Sequence, residues 1–152
     1  MIKLLDNHYH DEHTARSAWA QGRLDADRAE LLLRRSEHLA ADDRLLIELA
    51  IGRQYSHRRI ASIVNAPYGT VGRRIKKLIT LLADPLVGHL LEGPCPLDRT
   101  DRQVAIDYFV HRKPLRELSA RYGLSILYIS QRLQFVRGWF RGAAPNSKTM
   151  RT

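Results

Sequence analysis

Apolar residues along this chain recur at three- and four-residue spacing and nowhere alternate for long, which predicts an all-α fold without strands of more than a few residues. The clearest stripe is Val71, Ile75, Leu78, Ile79 and Leu82, a single apolar face on a helix that starts after Pro67. At about 100° per residue, Gly69, Arg73, Lys76, Lys77 and Thr80 fall on the opposite face. Upstream, Ile60 and Val64 lie one helical turn apart, and Ala61 is small where two helices must cross closely. Asn65 stands where this earlier helix should stop, because Asn is among the few non-glycine residues that accept a left-handed backbone. Pro67 blocks continuation through the turn, and Thr70 falls near the start of the next helix. Residues 60–75 therefore predict a helix, a tight turn and a second helix with a basic outer face.

The pattern returns 58 residues later. Asp43-Arg44 aligns with Asp101-Arg102, Ile60-Ala61 with Leu118-Ser119, Asn65 with Gly123, Val71 with Ile129, and Arg74-Ile75 with Arg132-Leu133. Gly123 suits the turn and Ser125 suits a helix cap. Such an internal repeat predicts two tandem helix-turn-helix units. Their outer faces differ: where the first has Arg73, Lys76, Lys77 and Thr80, the second has Gln131, Gln134, Phe135 and Gly138. Gln pairs with adenine through both ends of its amide, whereas Arg and Lys serve guanine or phosphate. Phe135, Trp139 and Phe140 read as an extended core or a partner face ahead of base contacts.

Around these units the chain divides into an acidic amino-terminal helical extension (1–41), a first unit (42–83), a connector (84–98), a second unit (99–141) and a small, polar, basic tail (142–152) expected to be disordered. The extension holds a short predicted helix over 11–21 and a second, capped by Asp25 or Asp27, reaching about Leu39. Asp42 is expected to cap the helix running from 43 to about 53. In the connector, Asp84-Pro85 starts a short helix with Leu86, Val87, Leu90 and Leu91 on its apolar side, and Gly93-Pro94-Cys95-Pro96 ends it.

The formal net charge of +9 and the pI near 10.2 imply an acidic partner. Its distribution is sharper than its total. Residues 1–48 carry seven Lys/Arg against ten Asp/Glu, 49–83 carry seven against none, and 99–141 carry nine against three. The basic surplus thus coincides with the two repeated units. No apolar run approaches the ~20 residues of a membrane span, and no secretory signal opens the chain. The lone cysteine, Cys95, sits in a Pro-flanked turn, so a reducing cytoplasm is expected. His8, His10 and His13 lack the fixed geometry a metal site needs, and neither metal nor cofactor is expected. No nucleophile and base pair, Gly-rich phosphate loop or carboxylate cluster suggests an enzyme.

Residues 42–82 resemble region 4 of the sigma-70 family. The likeness rests on Ile60-Ala61, Gly69-Thr70-Val71 and Arg74-Ile75, preceded by a helix with Arg44 near its start and Leu45, Leu46, Ile47 and Leu49 behind it. The chain departs from that pattern at Arg59, where Glu is usual, and at Asn65, where Gly is usual. The resemblance implies two DNA readers of the region 4 kind. Expected contacts are Arg58, Arg59, Tyr68, Thr70, Arg73, Arg74, Lys76 and Lys77 in the first, and Ser125, Tyr128, Ser130, Gln131, Arg132 and Gln134 in the second. No sigma region 2 fits in the amino-terminal stretch, so the expected function is a sequence-specific DNA-binding regulator of transcription, nucleoid-associated in a bacterium or phage. The alternatives are an accessory factor of a mobile element in excision or recombination, and a region 4 mimic that occupies RNA polymerase. Double-stranded DNA is the expected partner, with RNA polymerase and a second copy of the chain as further partners, and no membrane.

Overall fold

The computed structural model describes residues 26–143. The predicted helix over 11–21, the three amino-terminal histidines and residues 144–152 lie outside the described residues. Every regular element among the described residues is helical, and none of these helices is long and apolar enough to cross a membrane. The chain divides into two compact units, Met1–Ala83 and Asp84–Thr152.

The first unit comprises α1 (Ala26–Ser36), α2 (Ala41–Ile47), α3 (His57–Val64) and α4 (Tyr68–Ala83). The stripe of α4 is its keystone: Val71, Ile75, Leu78 and Leu82 are buried with Leu46 and Ile47 of α2, Ile60 and Ala61 of α3, and Leu32 of α1. Ile79, expected in the stripe, lies at its edge and is half-buried. Arg35 of α1 donates through Nη1 to the Leu82 carbonyl at 2.7 Å, satisfying a last-turn acceptor of α4 that has no partner within the helix.

Asp42 does not cap α2. The break falls earlier, at Ala40, which makes no side-chain cap bond, so Asp42 and Asp43 lie inside the first turn where the amide end of the helix favours carboxylates. The helix then widens into a π-helical turn over Glu48–Gly52, closed by the Arg53 amide donating to Glu48 O at 2.9 Å. Ser56 caps α3, its Oγ accepting from the Arg59 amide at 3.2 Å. Asn65 ends α3 in the left-handed conformation, φ 52° and ψ 51°, and the Ala66 amide donates to Ala61 O at 3.0 Å. Where α3 and α4 approach, a Cβ at Gly72 would lie 3.1 Å from His57 Nδ1, so any larger residue there requires the imidazole to shift by a few tenths of an ångström.

The second unit comprises α5 (Pro85–Glu92), α6 (Arg99–Phe109), α7 (Leu115–Tyr122) and α8 (Ile126–Ala143). Asp84 caps α5 by accepting from the Leu86 amide at 2.9 Å, with Pro85 in the first turn. Asp98 caps α6, accepting from the Asp101 amide at 2.8 Å. Leu90 of α5 is fully buried with Val104, Ala105, Leu118, Ile129, Leu133 and Val136. Arg102 adds a tie, donating through Nε to Leu90 O at 2.8 Å and through Nη2 to Leu91 O at 3.2 Å.

The backbone repeats at the 58-residue interval. α2 and α6 begin at 41 and 99, α3 and α7 at 57 and 115, α4 and α8 at 68 and 126. Left-handed residues coincide too: Gln54 with Arg112 and Asn65 with Gly123. Leu32 and Leu90, both fully buried, put the connector helix α5 in the sequence position that α1 holds in the first unit. Among the described residues, only the second unit buries charged side chains, Asp101 and Asp107. Asp107, 1% exposed, receives the Tyr122 hydroxyl at 2.7 Å and lies 2.8 Å from His111 Nδ1 and 3.5 Å from Arg121 Nη1.

Candidate nucleic-acid interface

α4 carries its cations where its apolar stripe requires them, on the side away from the core. Arg73, Lys76 and Lys77 are exposed and have no hydrogen-bond or ion-pair partner among the described residues, and no carboxylate lies on α4. Three unneutralised charges within five residues make a surface that attracts phosphate. Thr80 completes the strip, but its hydroxyl bonds back to Lys76 O at 3.0 Å.

The neighbouring expected contacts are held in place by the fold. Tyr68 and Thr70 are exposed at the start of α4, where the Thr70 amide donates to Pro67 O at 3.1 Å. Arg58 and Arg59 are exposed on α3, with the Arg58 guanidinium 5.7 Å from the Tyr68 ring centre and that of Arg59 3.7 Å from the Tyr55 ring centre. Arg74 differs from Arg73, for its Nε lies 2.6 Å from Asp43 Oδ1 on α2.

In the second unit the outer strip of α8 is uncharged. Gln131 and Gln134 are exposed, while Ser130 is half-buried. Ser125 starts the helix by accepting from the Tyr128 amide at 3.1 Å. Arg132, like Arg74, is engaged within its unit: Nε donates to the Tyr128 hydroxyl at 3.1 Å and lies 3.3 Å from Asp101 Oδ2. The Tyr128 bond and then the Asp101 charge raise its pKa further above the ordinary arginine value.

The aromatic trio divides. Trp139 and Phe140 are half-buried, with ring centres 6.0 and 5.6 Å from His89, whereas Phe135 stands 50% exposed. Leu127 is exposed at 68%, more than any other large apolar side chain among the described residues, and its neighbour Ile126 is 48% exposed. Sequence reasoning passed over both, although the helical period that buries Ile129 and Leu133 also turns Leu127 outward. Among the described residues no three His, Cys, Asp or Glu side chains come together as a metal site requires. No protein-family model, curated protein or solved structure matches this chain.

Proposed function

We propose that this chain is a non-enzymatic, sequence-specific duplex-DNA-binding protein that regulates transcription, using two helix-turn-helix readers of the sigma region 4 kind within the bacterial or phage nucleoid. The observation that carries the reading is the outer face of α4, where Arg73, Lys76 and Lys77 stand exposed without a partner among the described residues. An unpaired cationic strip on the second helix of a helix–turn–helix arrangement matches the phosphates and guanine edges of a major groove. It also has the net charge of the whole chain, +9, behind it.

The experiment is a fluorescence-anisotropy titration of the full chain with duplex DNA across a salt series. Each phosphate contact contributes about 0.9 to the slope of log affinity against log salt, so removing Arg73 and Lys77 together as glutamines should flatten the slope by about two. A slope that the double variant leaves unchanged moves DNA off this face. A second reading, a polymerase-binding mimic of region 4, draws on the exposed Leu127 and Phe135 of α8. It predicts no salt-steep duplex binding at all.

A further inference from the structure

The outer strip of α8 has a chemistry of its own. Leu127, Gln131, Gln134 and Phe135 are all exposed and none is charged, whereas the equivalent positions of α4 hold Gly69, Arg73, Lys76 and Lys77. Each glutamine offers a donor and an acceptor on one planar amide, the pattern that complements N7 and the N6 amino group of adenine. Leu127 and Phe135 present only carbon, and the one carbon group that the major groove offers is the C5 methyl of thymine. At about 1.5 Å per residue, Leu127 to Phe135 covers roughly 12 Å, close to the ~12 Å width of that groove and to three or four base pairs. Arg116, Arg121, Arg137 and Arg141 are exposed on α7 and α8, and residues 99–141 carry nine Lys/Arg against three Asp/Glu, so the charge of the unit complements a polyanion. A second copy would bring the same positive surplus against itself.

Resting on the DNA-binding reading above, we infer that α8 reads a short block of A·T base pairs in the major groove. Gln131 and Gln134 pair with adenine while Leu127 and Phe135 pack on thymine methyls. The first unit then supplies grip and the second supplies base choice.

The test uses the full chain and a duplex selected by it from random sequence, at one fixed salt concentration. Replacing thymine by uracil removes only the methyl groups, and replacing adenine by 7-deazaadenine removes only the N7 acceptor. Each replacement should weaken wild-type binding about 5- to 100-fold. Leu127→Ala with Phe135→Ala should lose the sensitivity to uracil, and Gln131→Ala with Gln134→Ala the sensitivity to 7-deazaadenine. All four positions are exposed, and circular dichroism checks that the variants keep their helices. Salt-steep binding that is indifferent to both base analogues overturns A·T readout and leaves the DNA-binding reading standing; absence of duplex binding overturns both. A dimer in sedimentation that Leu127→Ala with Phe135→Ala dissolves would assign the strip to a contact between copies and overturn base readout.

Discussion

Arg74 Nε lies 2.6 Å from Asp43 Oδ1, tying the middle of α4 to the first turn of α2. Arg132 approaches Asp101 at 3.3 Å in the second unit, each partner displaced by 58 residues. Each pair links the outward helix to the helix behind it, adding an exposed tie to the buried apolar stripe that turns the basic strip of α4 and the neutral strip of α8 outward. Arg74 and Arg132, expected as DNA contacts on sequence grounds, each form one half of this tie.

Adjacent arginines should therefore behave differently. Arg73→Gln should lower the salt slope of DNA binding by about 0.9. Arg74→Gln should lower it by less than half of that, because its charge is already opposed by Asp43. Asp43→Ala should cost at most about 1 kcal/mol in thermal or urea unfolding, since the Arg74 and Asp43 side chains are 52% and 24% exposed. Equal slopes for the two arginine variants would place Arg74 on the DNA.

The left-handed caps give a second pair of outcomes. Asn65→Gly relieves a φ of +52° and should leave the first unit unchanged or stabilise it by up to ~1 kcal/mol. Gly123→Ala imposes a Cβ on a φ of +65° and should destabilise the second by about 1–2 kcal/mol. No atom lies within 4 Å of a Cβ built there, so the cost is conformational and not steric crowding. Chemical denaturation of the two variants compares them directly.

Burial of α5 is tested by Leu90→Ala. Leu90 is fully enclosed, as Leu32 is in the first unit, and each truncation should cost about 2–5 kcal/mol. A tether between two units would tolerate the Leu90 change, and hydrogen exchange over α6 and α7 would then stay at its wild-type rate.

Asp107 and Tyr122 make the stability of the second unit depend on pH at both ends of the scale. Burial pushes the Asp107 carboxyl up, but the Tyr122 hydroxyl, His111 and Arg121 outweigh it and leave the pKa below the ordinary 3.8. A depressed carboxyl contributes stability that is complete above pH 3.8 and disappears as pH falls through the folded value. Burial first, and then the bond to Asp107, lift Tyr122 from 10.0 to about 12, so its contribution is complete below pH 10 and is lost as pH rises toward about 12. Tyr122→Phe should cost about 1.5–3 kcal/mol at neutral pH and remove that alkaline loss. Thermal unfolding across pH reads both.

The helices, the interval of the repeat and the left-handed Asn65 were legible because each is a local signal: a stripe, a spacing, a residue type that tolerates positive φ. The outward strips of α4 and α8 were legible for the same reason, apart from Leu127. What escaped depends on partners distant in sequence or on none at all. Asp43 and Arg74 are 31 residues apart, and the 15-residue separation of Asp107 and Tyr122 hides a buried carboxylate that looks like any surface Asp. The π-helical turn over Glu48–Gly52 has no residue that announces it, and Gln54 and Arg112 adopt positive φ without belonging to the types that favour it.

Those last two residues carry a consequence for how the halves of this protein can diverge. Gln54 and Arg112 share a torsion sign but no chemistry, and Asn65 and Gly123 share theirs with different side chains. What the two units hold in common is an itinerary for the main chain, spelled twice in different letters. The spelling of the outward helices is under no obligation to the itinerary, so the exposed side chains of one unit can change while the main-chain path of both stays as it is.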